Sequence, residues 1–244
     1  MTEARDRRVS KRVFLRTAGL GALTTLLVPA VSKRDLVHAQ AAAGPSPAAG
    51  PKPPTSDEAL QKLIEGNRRH LSGEFTITQR LAERRQQVAK AQHPFAAILG
   101  CSDSRLPPEI VFDHSLGDLF VVRVAGNIVD MNGLASLEFA ATQFGTPLIL
   151  VLGHARCGAV AAALAETKAA GHIVSLVDAI KPAVVMSKGQ PGDPLDNAIR
   201  ANIRHTVDDL KTSQPILADL VKAGTLKVVG AIYSLDTGKV EIIA

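Results

Sequence analysis

From Thr55 onward the chain alternates short, nearly continuous apolar runs with longer stretches whose apolar positions recur at helical spacing. Phe95–Gly100, Leu119–Val124, Pro147–Gly153 and Leu226–Ser234 read as strands covered on both faces, because a half-exposed strand would alternate apolar and polar positions. Lys239–Ile243, set off by Asp236-Thr237-Gly238, predicts a hairpin partner for the last of them. Thr55-Ser56-Asp57-Glu58 has the spacing of a capping box. It is followed by Leu60, Leu63, Ile64 and Leu71 on one helical face. A second, more polar helix is expected from Thr78 to Ala91, with Leu81 and Val88 as its main apolar positions. Further helices are predicted at Pro107–Phe112, Gly133–Phe144, Gly158–Lys168, Leu195 to about Lys211, and Pro215–Ala223. This alternation predicts an α/β fold with a mostly parallel central sheet flanked by helices. The first two helices form an N-terminal helical arm with little apolar surface of its own, which is expected to pack on a neighbouring subunit.

Ahead of Thr55 the pattern is different. Residues 1–39 have a basic start, an apolar run from Ala18 to Val31 and a small-residue end at Val37-His38-Ala39, the layout of an export signal. Its apolar run is shorter than the ~20 residues of a stable bilayer span. Ser10-Lys11-Arg12-Val13-Phe14-Leu15-Arg16 resembles the twin-arginine translocation motif, with Lys11 in place of the first arginine. Export by that route to a periplasmic or extracellular location is the expectation, with ordinary Sec export as the alternative route and contact to a membrane only through an uncleaved signal. Residues 40–54 are rich in Ala, Gly and Pro and read as a linker, leaving 55–244 as the folded domain.

Charge supports this division. The formal net charge is +5, yet residues 1–39 hold eight Lys/Arg against three acids, so the remainder is balanced at twenty of each. The basic surplus belongs to the tail, and no nucleic-acid partner is expected. The absence of Trp and the single Tyr also argue against base-stacking platforms.

The chemistry collects at two places. Cys101-Ser102-Asp103-Ser104-Arg105 and His154-Ala155-Arg156-Cys157 each follow a predicted strand and contain both cysteines of the chain. Both segments should emerge at the carboxyl edge of the sheet, where open α/β folds bind ligands. Two thiolates, an imidazole and a carboxylate are a complete tetrahedral set for zinc. A Cys101–Cys157 disulfide is the rival for an exported protein, although it gives His154, Asp103 and Arg105 no purpose. With Cys101, His154 and Cys157 on the metal, Asp103 either fills the fourth position in a closed state or leaves it to water. Arg105 decides between them, since a bidentate pair with Asp103 holds that carboxylate off the metal.

Cys-x-Asp-x-Arg, followed about fifty residues later by His-x-x-Cys-Gly, is similar to the β-class carbonic anhydrases. Gly117–Asn127 also resembles that family, and the likeness runs from about Thr55 to Ala244. The resemblance implies one Zn2+ per chain and reversible hydration of carbon dioxide to bicarbonate and a proton by attack of zinc-bound hydroxide. It assigns the metal to Cys101, His154 and Cys157, and the catalytic dyad to Asp103 and Arg105. It further implies substrate contacts from Gln92, contributed by the partner subunit, from Phe120 and Val124 lining an apolar pocket, and from the Gly158 amide. A homodimer or homotetramer is implied too. Two alternatives remain open at this point: hydrolysis of carbon disulfide or carbonyl sulfide on the same fold, and a non-catalytic exported zinc-binding module.

Overall fold

The structure is a computed structural model that describes residues 52–166 and 168–244. The expected export signal and nearly all of the linker lie outside the described residues. Five strands form one sheet: β1 (Ala96–Gly100), β2 (Leu119–Arg123), β3 (Leu148–His154), β4 (Lys227–Tyr233) and β5 (Val240–Ile242). Their order is β2-β1-β3-β4-β5; the first four run parallel and β5 closes the edge antiparallel. The chain leaves β1 to one side and returns past it to β3, so the strand order reverses between β1 and β3. That reversal opens a crevice at the carboxyl ends of these two strands.

Burial follows the sequence pattern in the centre and departs from it at one edge. Every residue of β1 and β3 is buried, as is all of β4 except Lys227. β2 is apolar up to its last residue, Arg123, but its apolar positions are only half-buried, because as an outer strand it has a neighbour on one side alone. The helices are α1 (Ser56–Ser72), α2 (Leu81–Val88), α3 (Pro108–Val111), α4 (Met131–Gln143), α5 (Gly158–Leu164), α6 (Ile173–Ser187), α7 (Pro194–Thr212) and α8 (Leu217–Lys222). α4 packs on β1 and β2, and α7 on β3 and β4. Among the described residues, no helix is long and apolar enough to cross a membrane.

α1 starts as its capping box requires: Thr55 Oγ1 accepts from the Glu58 amide, and the Glu58 carboxylate accepts from the Thr55 amide. α1, expected to have little apolar surface of its own, buries part of that surface on its own chain. Ala59 and Leu63 are fully buried, and the Asn67 side chain donates to Val111 O and Gly238 O while accepting from the Val240 amide. Gly66 lies so close to Phe112 O that a Cβ would stand 1.7 Å from it. A polar helix docks here through one buried amide and a glycine contact, which apolar counting does not reveal. α2 buries no residue and is tethered by Arg84, which donates to Leu116 O and pairs with Asp118. One helix was absent from the sequence reading: α6, which has no side-chain N-cap and contains Pro182, a helix-breaking signal.

Candidate metal centre

The two chemical segments leave the sheet on either side of the β1/β3 crevice. The Cys101 amide donates to Leu152 O at 3.3 Å, which extends the β1–β3 pairing one residue beyond β1 and fixes the start of the loop. Arg123, at the end of β2, clamps the same loop by donating to the carbonyls of Cys101 and Asp103. On the other side His154 is the last residue of β3, and the Ala155 amide donates to Tyr233 O on β4. Arg156 then takes a positive φ of 56°, which turns the chain back so that Cys157 becomes the N-cap of α5.

The result is a buried group in which the donor atoms of Cys101, His154 and Cys157 all lie within 4.8 Å of one another. The two sulfurs are 3.9 Å apart and both cysteines are free thiols. A disulfide requires about 2.05 Å between sulfurs. Two sulfurs each ~2.3 Å from a tetrahedral zinc lie about 3.8 Å apart, so the spacing suits a shared metal. His154 is fully buried; its Nδ1 lies 2.9 Å from Ala155 O, a bond in which the ring N–H donates. That bond leaves the Nε2 lone pair free, and Nε2 has no hydrogen-bond partner among the described residues. An orphaned imidazole nitrogen beside two thiols fits zinc in both chemistry and geometry.

The electrostatics agree. The hydrogen bond between the sulfurs drives the two thiols apart: Cys101 is lowered and Cys157 raised, so the metal-free pair shares a proton. Burial pushes His154 down, but charge attraction to Cys101 and Asp103, with the bond to Ala155 O, outweighs burial and raises it. A metal ion here would displace the proton that lies between the two sulfurs.

Asp103 stands beside this group without belonging to it. Its Oδ1 accepts from Arg105 Nε at 2.9 Å and its Oδ2 from Arg105 Nη2 at 2.7 Å, and the Arg105 amide adds a third bond at 2.9 Å. This bidentate pair holds Asp103 well below the usual carboxylate range. The free face of Oδ2 lies 3.8 Å from His154 Nε2, so the carboxylate is an ionised acceptor at the edge of the metal group.

The other residues singled out in the sequence are not all gathered here. Phe120 and Val124 are half-buried on and just beyond β2, with the Phe120 ring 6.0 Å from that of Phe144. Gly158 is exposed at the first position of α5. Gln92 is exposed on the segment before β1. Two contributors were not anticipated: Arg123, and Gly126, whose amide donates to Cys101 Sγ at 3.2 Å. Gly126-Asn127 is visible in sequence as a turn signal, but nothing in the spacing ties it to Cys101.

A family model described as carbonic anhydrase matches residues 96–240. Carbonic anhydrase 2 of Mycobacterium tuberculosis is 37% identical over 185 residues, which cover 74% of this chain and 89% of that protein. A carbonic anhydrase of Mycolicibacterium smegmatis is 36% identical over 188 residues, covering 75% and 91%. Among solved structures, a Coccomyxa β-carbonic anhydrase in complex with acetazolamide superimposes with a TM-score of 0.62 at 29% identity, covering 75% of this chain and 86% of that one.

Proposed function

We infer that the Cys101–His154–Cys157 group is a catalytic zinc centre, from the premise that this chain belongs to the carbonic anhydrase family, in its β class. The activity is the family's: zinc-dependent, reversible hydration of carbon dioxide to bicarbonate and a proton. When bound, zinc supplies a Lewis acid that makes water acidic enough to act as a nucleophile near neutral pH.

The observation that carries the catalytic reading is the Asp103–Arg105 pair. Cys101, His154 and Cys157 hold the metal, and Arg105 takes both oxygens of Asp103 so that the carboxylate does not become a fourth protein ligand. Asp103 then accepts a hydrogen bond from the attacking water and orients its lone pair towards carbon dioxide. The Gly158 amide binds a bicarbonate oxygen, and Phe120 and Val124 form an apolar wall that excludes bulk water. Gln92 is supplied to the site by a second copy of the chain, in keeping with its exposed position. The half-buried outer strand β2, together with exposed Met131 and Phe139 on α4, supports such a dimer or a larger homo-oligomer.

Replacement of Arg105 by Ala tests this reading. The variant should retain one zinc per chain and lose most hydration activity; full activity in it would refute the gating role of Arg105. The basic, apolar N-terminal segment supports export of the folded domain, and a mature N-terminus located between about residue 39 and residue 55 by sequencing the secreted protein is the expected result.

A further inference from the structure

We propose that Asn202 is a positioning residue for the metal-binding sulfur of Cys101, acting through the backbone of Gly126 from the inner face of helix α7. The proposal rests on the zinc reading above and deepens it. Asn202 lies on the inner face of α7 among Ala198, Ile199, Ala201, Ile203 and Thr206, and is 1% exposed. Its Nδ2 donates to Gly126 O at 2.7 Å, across seventy-six residues of sequence. Gly126 in turn donates its own amide to Cys101 Sγ at 3.2 Å. One residue thus receives a hydrogen bond on its carbonyl and passes one from its amide to the sulfur.

Gly126 needs such a hold. It sits in the short 3₁₀ turn Ala125–Asn127 with φ 75° and ψ 14°, a region that glycine enters freely and leaves as freely. Ile180 of α6 closes one side, since a Cβ on Gly126 would stand 2.7 Å from its Cδ1. That wall prevents substitution but does not set the direction of the N–H. The bond from Asn202 does, because it pins the carbonyl end of the residue and with it the rotation of the neighbouring peptides. The rest of the local chemistry points the same way. Asn202 Oδ1 has no hydrogen-bond partner among the described residues, so this buried amide is half-satisfied, and its one good bond is the bond to Gly126.

The consequence for the metal is electronic as well as geometric. An N–H directed at a thiolate draws charge from the sulfur and reduces what that sulfur donates to the metal. Loss of the Asn202 bond leaves Cys101 more loosely placed and more strongly donating.

Cobalt reports on this directly, because Co2+ in a thiolate site shows a sulfur-to-metal charge-transfer band in the near ultraviolet. Wild type, Asn202→Leu and Ile203→Val are loaded with Co2+, and their Zn2+ affinities are measured by competition with a chromogenic chelator. Ile203→Val loosens the same helix without touching the bond and gives the baseline for lost packing. The Asn202→Leu band is expected to move to longer wavelength, with an affinity for Zn2+ about tenfold lower, while Ile203→Val matches wild type in both. A band and an affinity for Asn202→Leu that coincide with those of wild type would overturn the proposal. If the leucine does not fold, Asn202→Ser, too short to reach Gly126 O, gives the same readouts. Wild type that binds neither Co2+ nor Zn2+ at one per chain would overturn the zinc reading itself, which separates the two failures.

Discussion

Among the described residues, the buried polar clusters at Asp113 and at the metal centre differ in how fully their groups are paired. At Asp113 the carboxylate is fully buried and every lone pair is used: it accepts from Arg69 Nε at 2.6 Å, from the Thr76 amide and hydroxyl at 2.7 Å each, and from the Ile77 amide at 2.8 Å. At the metal centre the donors converge but do not satisfy one another. His154 Nε2 has no hydrogen-bond partner among the described residues, and two free thiol sulfurs face each other at 3.9 Å. Buried polar groups are almost always paired. A cluster that is complete ties segments of the fold together, here the α1 end, the Thr76 turn and the loop after α3. A cluster with spare lone pairs on converging soft atoms needs something to be bound there.

Substitutions separate the two clusters. The largest effect is expected from Cys157→Ser, which should abolish zinc binding and hydration while leaving the far-ultraviolet circular dichroism near wild type. Asp113→Ala should do the reverse. Leaving Arg69 and two backbone amides without their acceptor costs roughly 3–5 kcal/mol of stability, read as a fall in the urea midpoint, with zinc still at one per chain. Arg105→Ala should lower the hydration rate by about a hundredfold, with zinc content and urea midpoint close to wild type, as expected of an exposed pair beside the metal.

Acid distinguishes them further. Burial alone would raise Asp113, but its bonds from Arg69, Thr76 and Ile77 prevail and hold it below the ordinary carboxylate value. A carboxyl lowered on folding stabilises the protein fully above its unfolded pKa of about 3.9, and that contribution is lost as pH falls through the folded value. The urea midpoint of wild type should therefore drop between about pH 5 and pH 2, and the drop should be shallower in Asp113→Asn. Smallest is Thr55→Ala, which removes the α1 cap for about 1 kcal/mol and should leave zinc binding and hydration unchanged.

The same contrast explains what could be read in advance. Cys101, Asp103, Arg105, His154 and Cys157 were legible because each metal-site segment is short and follows a buried strand, so a local spacing of two or three residues carries the geometry. The central strands were legible for a similar reason: burial on both faces writes itself as an unbroken apolar run. Asp113 was not, since its partners lie 36 to 44 residues away and its own backbone has a positive φ of 47°. Arg123 and Gly126 lie within the Gly117–Asn127 stretch, whose spacing does not tie them to Cys101, and Asn202 reaches the site from α7 with no motif joining it to them. The docking of α1 on its own chain was not legible because Asn67 and Gly66, both poor markers of a core, make its closest contacts. α6 was hidden by Pro182, although Val177, Ile180 and Val184 keep helical spacing through it.

The central claim is that catalysis depends on metal held by Cys101, His154 and Cys157. Zinc content and carbon dioxide hydration followed on one sample of the wild-type protein, through stepwise removal of metal by a chelator and its return, test this most directly. Hydration should fall in proportion to the zinc lost from one per chain and recover when zinc is restored. Hydration that persists in zinc-free protein, or a full complement of zinc with no hydration, would contradict it.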